Sequence, residues 1–260
     1  MEKNNKLKYL LPIRCIMFIL IFILGSIITK QNLNDISNWW SIVATVVNIV
    51  TILILVLVTK KIKSSYYKLI TYENGKTKIK QVIIISLIVL WIGTLGMYLA
   101  GFICYGKFPY AAPMMIAPIP LVLAILNCVI LPITVPFAED GLYLGCGVNQ
   151  IKNRYLSIVV PAFFYALQHS FIPTLFDGKY IIYRFLSFLP LTIILCWYYK
   201  KKQNPLPIMV GHALIEIASV VMILMTSISP EMYQTMLNMW FIEDFMVVIK
   251  WKDQILNEQN

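Results

Sequence analysis

The stretch from Met114 to Val148, MMIAPIPLVLAILNCVILPITVPFAEDGLYLGCGV, carries only two charged residues, the adjacent acids Glu139 and Asp140. As one straight helix it would reach about 50 Å and overshoot a hydrocarbon layer of about 30 Å. Pro132 and Pro136 are therefore expected to break or kink it. A break exposes backbone groups, which the membrane interior tolerates only against protein or a water-filled cavity, so a cavity is expected beside Glu139.

Similar apolar runs recur on both sides of this one. Spans are expected at Leu10 to Ile28, Trp40 to Val58, Val82 to Tyr105, within Met114 to Val148, at Leu156 to Phe176, Ile181 to Tyr199 and Pro205 to Met225. A weaker candidate, Met236 to Trp251, is interrupted by Glu243 and Asp244 and reads equally well as an interfacial helix. With 59% hydrophobic residues, 13% charged residues and a mean hydropathy of +0.75, the chain lacks the polar surface of a water-soluble domain. The fold class is all-α, a polytopic integral membrane bundle of seven or eight transmembrane helices. It forms a single domain over residues 1–260, because no loop is large enough for a second one.

The formal charge of +10 comes from lysines in the connections, without a basic groove of interleaved aromatics, so no nucleic-acid partner is expected. Lys3, Lys6 and Lys8, the series from Lys60 to Lys80, and Lys200 to Lys202 mark the cytoplasmic side; Lys250 and Lys252 join them if there are eight spans. The nearly balanced connections holding Lys30 and Asp35, Lys107, and Asp177 with Lys179 fall outside. The amino-terminal run has a basic lead but is as long as a full span, and reads as an uncleaved first helix with the N-terminus inside. Abundant Lys, Asn and Ile with short loops suit a bacterial cytoplasmic membrane. Cys15, Cys104, Cys128, Cys146 and Cys196 are odd in number and lie in apolar stretches without a CxxC pair, which argues against a disulfide framework.

Ionisable residues inside such spans are costly and usually line a polar cavity. The only two histidines, His169 and His212, lie in apolar segments, as do Glu139 and Asp140. Counting at 1.5 Å per residue from the cytoplasmic rim puts Glu139 about 15 Å deep, His169 about 21 Å and His212 about 10 to 15 Å. Three helices of alternating direction thus bring them to similar depths, and a shared pocket open to the cytoplasm is allowed. Tyr165 precedes His169 by one helical turn and Glu216 follows His212 by one, so each pair shares a helix face.

Carboxylates and imidazoles in a cavity of low dielectric can activate water for attack on a carbonyl. Glu139 is the expected general base and His169 the residue that orients the water. His212 has two uses open to it: donating a hydrogen bond to the oxyanion, or joining Glu139 and His169 as ligands of a divalent metal such as zinc. Taken singly, each residue also has a plain structural reading. The histidines can bond neighbouring helices, Tyr165 can pack, Glu139 and Asp140 can mark a helix end, and Glu216 can hold the tautomer of His212.

Three motifs extend this. Glu139-Asp140-Gly141-Leu142-Tyr143-Leu144, Tyr165-Ala166-Leu167-Gln168-His169 and His212-Ala213-Leu214-Ile215-Glu216 follow one another in separate helices. In order and separation they resemble the Glu-Glu-x-x-x-Arg, Phe-x-x-x-His and His-x-x-x-Asn/Asp boxes of the CPBP intramembrane endopeptidases, the family of type II CAAX prenyl proteases and the bacterial Abi proteins. The likeness spans Val135 to Val221 within a protease-like core of about residues 114–226. It implies that Glu139 and His169 bind and activate the attacking water, and that His212 and Glu216 stabilise the oxyanion or complete a metal site. The implied partners are membrane lipid and a peptide or membrane-protein substrate; oligomeric state stays open.

Four positions depart from the boxes: Asp140 for glutamate, Leu144 for arginine, Tyr165 for phenylalanine and Glu216 for asparagine or aspartate. Leucine offers no substitute for a fixed cation, and a second glutamate opposes an oxyanion unless it carries a proton. A member that binds a peptide or membrane partner without cleaving it, as in bacteriocin self-immunity, is thus the first alternative. A proton-coupled carrier is the second, although neither duplicated halves nor paired interrupted helices are present.

Overall fold

A computed structural model describes residues 6–108 and 112–240. Its helices are α1 (Ile13–Thr29), α2 (Leu33–Ile36), α3 (Trp40–Lys61), α4 (Tyr66–Leu69), α5 (Ile79–Tyr105), α6 (Leu121–Asp140), α7 (Leu156–His169), α8 (Gly178–Lys202), α9 (Leu206–Ile228) and α10 (Pro230–Trp240). A π-helix, Gly141–Val148, continues α6. Among the described residues there is no strand, and six helices are long and apolar enough to cross a membrane, with α7 a shorter apolar seventh. The protein is an all-α, multi-pass membrane bundle. The eighth candidate span starts within α10 and otherwise lies outside the described residues, as do Glu243, Asp244, Lys250 and Lys252.

Large apolar side chains point outward along the spans, among them Leu24, Leu53, Leu57, Trp91, Val122, Val129 and Ile133. In water this would be unstable; in lipid it is the expected finish of a bundle whose backbone polar groups are satisfied inside each helix. Where a helix leaves the bundle its end is marked in sequence. Gly106 takes a left-handed φ of 69° after α5, the Asp177 side chain accepts from the Lys179 amide at 2.9 Å to start α8, and Lys200, Lys201 and Lys202 occupy its last turn.

Two expectations need correction. The stretch Met114 to Val148 is not broken at Pro132 or Pro136, both of which lie inside α6. It is shortened at its start, where Pro113–Ile116 forms a 3-10 turn and Pro118 and Pro120 hold the following residues out of the helix, and it is compressed at its end by the π-helix. The fifth span also stops early: α7 ends at His169, and the chain to Phe176 turns back into the bundle, with Ser170, Ile172, Thr174 and Leu175 buried. The Ser170 hydroxyl donates to the Ile181 carbonyl at 2.9 Å, tying this turn to α8.

The π-helix forms the centre of the bundle. Every residue from Gly141 to Val148 is buried, in a cluster with Leu7, Leu11, Leu55, Leu69, Ile151, Leu195, Tyr199 and Ile208. Small residues permit that approach: a Cβ on Gly147 would lie 2.6 Å from the Pro161 ring of α7. The connection between α3 and α5 folds over the same end, where Tyr66 donates to the Phe137 carbonyl at 2.7 Å and Asn149 donates to the Leu69 carbonyl at 2.8 Å and the Tyr199 hydroxyl at 2.7 Å. The packed π-helix follows Glu139 in the chain and leads to the connection that holds Lys152.

Candidate active site

The last turn of α6 presents Glu139 and Asp140 at 3% and 0% exposure, the last turn of α7 presents His169, and the second turn of α9 presents His212. The three motifs meet. Glu139 Oε2 lies 3.7 Å from His169 Nε2 and 3.7 Å from His212 Nε2, while Glu216 Oε1 lies 4.0 Å from His212 Nε2. Glu139 Oε2 is sealed from solvent and has no hydrogen-bond partner among the described residues.

Asp140 points the other way, to Tyr165 and His212. The Tyr165 hydroxyl donates to Asp140 Oδ1 at 3.0 Å and lies 3.0 Å from His212 Nδ1; Asp140 Oδ2 is 3.5 Å from the same nitrogen. The hydroxyl has one hydrogen, and an ionised carboxylate only accepts. With that hydrogen on Asp140, Nδ1 must carry its own, and Nε2 is the nitrogen that faces Glu139 and Glu216. The tautomer of His212 is thus held by Asp140 and Tyr165, whereas Glu216 faces the opposite ring nitrogen. Two departures from the motifs also explain each other: Asp140 is one methylene shorter than glutamate, and the Tyr165 hydroxyl occupies the gap.

The structure adds a residue that the motifs do not contain. Arg14, on α1, is wholly buried and donates from Nη2 to Glu139 Oε1 at 2.8 Å and to Asn48 Oδ1 at 2.9 Å, from Nη1 to Thr51 Oγ1 at 3.1 Å, and from Nε to Gln168 Oε1 at 2.5 Å. Leu144, in the place of the motif arginine, is buried in the apolar cluster of the π-helix. Leu144 supplies no cation, but one arrives from the first helix and pairs with Glu139. A lone arginine in the first turns of a first span, behind lysines, reads as part of a basic flank. The signal that marks it is its place inside the apolar run, since a charge there needs a partner.

On the far side of His169, Phe188 stacks on the imidazole with centroids 3.6 Å apart, and Arg184 lies over Phe188 while its Nε donates to the His169 carbonyl at 3.3 Å. A pocket lined by Val89, Tyr165, His169, Phe188, His212 and Ile215 opens beside the two imidazoles, with room for about one water molecule. It lies among α5, α7, α8 and α9. Among the described residues no group of three or more His, Cys, Asp and Glu side chains is arranged to hold a metal ion.

Neither a curated protein nor a solved structure matches the chain. Residues 121–218, from the start of α6 to within α9, match the family model described as Type II CAAX prenyl endopeptidase Rce1-like. Over the segment that carries Glu139, Asp140, Tyr165, His169, His212 and Glu216, the chain is thus similar to the Rce1-like family, a match consistent with a CPBP-family protease and supporting a CAAX-type intramembrane protease in general terms.

Proposed function

We propose that this protein hydrolyses peptide bonds within the membrane by means of a water activated between Glu139 and His169. The carrying observation is the convergence of Glu139 Oε2, His169 Nε2 and His212 Nε2, with Oε2 buried and unpartnered. Gln168 bonds Arg14 and Tyr143 through its carbonyl oxygen, so its amide faces His169 Nε2, at 3.4 Å, as a donor. His169 Nε2 is then unprotonated, and its one lone pair is shared between that long amide contact and the water, which donates its other hydrogen to Glu139 Oε2 and aims a lone pair elsewhere. That lone pair attacks the peptide carbonyl carbon, and one water proton passes to Glu139 or His169.

The carbonyl oxygen becomes an oxyanion as the tetrahedral intermediate forms. A proton on His212 Nε2 or on Glu216 Oε1, which lie 4.0 Å apart, gives it a donor. Collapse breaks the C–N bond, and the leaving amine takes up the proton stored on Glu139 or His169. Orientation by the lysine-rich loops puts the scissile bond toward the cytoplasmic leaflet of a cell membrane, with the N-terminus inside. Membrane lipid and a peptide or membrane-protein substrate are the partners in this reading.

The test is cleavage of a fluorogenic peptide ending in a prenylated cysteine-aliphatic-aliphatic-X sequence by the full-length protein in nanodiscs. Glu139→Gln and His169→Ala should each lower kcat by about 10²- to 10⁴-fold, the range general acid-base groups supply. Binding of the probe without cleavage by the wild type would favour the non-cleaving partner reading, and proton flux into proteoliposomes the carrier reading.

A further inference from the structure

The first helix lies outside residues 121–218, yet it sends a fully buried cation into the site. Arg14 touches four side chains on three other helices: Asn48 and Thr51 on α3, Glu139 on α6 and Gln168 on α7. We infer that Arg14 is a positioning residue that sets both members of the water-activating pair, and that α1 is thereby a functional part of the site. This rests on the hydrolytic reading above.

Two separate consequences follow from its bonds. Toward Glu139, the guanidinium takes Oε1 and leaves Oε2 to face the imidazoles, so it fixes which carboxylate oxygen is free. Toward His169 it acts through an amide. A guanidinium can only donate, so the group of Gln168 that meets Arg14 Nε must be its oxygen, and the Tyr143 hydroxyl donates to that same oxygen at 3.1 Å. The Gln168 amide nitrogen is then turned to His169 Nε2 and holds that nitrogen as an acceptor. One cation thus selects the free oxygen of the acid and the tautomer of the imidazole.

Asn48 and Thr51 have a supporting part in this. Each accepts from a terminal nitrogen of Arg14, and Thr51 in turn donates to the Val47 carbonyl at 2.7 Å, so the fork is held on the α3 side before it reaches α6. Asn48 bonds Arg14 and Thr134, which makes it a handle on Arg14 that leaves the reacting groups alone.

The experiment compares wild type with Arg14→Gln, Arg14→Lys and Asn48→Ala in the nanodisc cleavage assay, with Glu139→Gln as the inactive control and folded fraction measured by thermal unfolding of each sample. Arg14→Gln should lower kcat per folded molecule about 10- to 100-fold, as loss of a partner that orients a reacting group does, with KM within about threefold of wild type. Arg14→Lys should fall between, because an ammonium keeps the charge and cannot span the acceptors in a planar fork. Asn48→Ala should lower kcat less, with KM again unmoved. Wild-type kcat in Arg14→Gln, or losses in all three variants that vanish once divided by folded fraction, overturns the inference; if Arg14→Gln does not fold, Arg14→Lys and Asn48→Ala decide by the same rule. An inactive Glu139→Gln beside a fully active Arg14→Gln removes this inference alone, whereas a wild type that cleaves nothing removes the hydrolytic reading together with it.

Discussion

Asp140 and Tyr165 are the residues at which this chain most informatively leaves its motifs, because the two changes meet in one hydrogen bond of 3.0 Å and share His212 Nδ1 as a neighbour. Their effects should therefore not add. Tyr165→Phe alone leaves Asp140 and His212 Nδ1 short of a buried partner, which costs roughly 1 to 3 kcal/mol and frees the imidazole to take the wrong tautomer. Adding Asp140→Glu lengthens the acid toward the vacated place and should return part of the lost kcat. A double-mutant cycle on the cleavage rate checks this, with a coupling above about 0.5 kcal/mol expected and additivity counting against it. Much at this scale was legible from spacing: Glu139, His169, His212 and Glu216 could be named because ionisable groups are rare in apolar helices. The Arg14 contact was not, since a pair 125 residues apart leaves no periodic trace. The roles of Asp140 and Tyr165 were hidden for a different reason, because each looked like the loss of a motif residue until the geometry joined them.

At the scale of elements, apolar length found the spans, while the details that shape the site were set by tertiary packing. Proline reads in sequence as a breaker, yet α6 runs through Pro132 and Pro136: each removes one N–H from the ladder, and the helix continues around it inside the bundle. The compression that follows is written in small residues, with Gly141, Gly145 and Gly147 each lying against a side chain of another element. The covering of the pocket by α5 depends on the same device. A Cβ on Gly96 would run into the Ser187 carbonyl oxygen of α8, which is backbone and cannot rotate away. Gly96→Ala should therefore push α5 off α8 and lower stability by about 1 to 3 kcal/mol. Gly178→Ala, whose Cβ meets nothing within 4 Å, is the control and should leave thermal unfolding within about 0.5 kcal/mol of wild type. Equal unfolding temperatures for the two variants would show that α5 does not rest on that contact.

For the molecule as a whole, the distribution of charge and the packing of its two ends make different statements about how substrate and solvent approach. Lysines gather at the end where the connection from α3 to α5 folds over the π-helix, and that end is closed by apolar packing. The pocket beside the imidazoles instead lies among α5, α7, α8 and α9, with Ile215 and Phe188 only partly buried along it. Orientation is expected from where positive charge collects, and it can be measured directly because all five native cysteines lie within the helical spans and the π-helix, three of them buried. Single cysteines at the exposed positions Lys61 and Lys152 should react with a membrane-impermeant maleimide only after cells are opened, whereas cysteines at the exposed Asp35 and Phe176 should react in intact cells. The reverse pattern would turn the bundle over, place Glu139 nearer the outer leaflet and require the substrate bond to be presented from outside, so the same four labels decide both the topology and the side on which a peptide must enter.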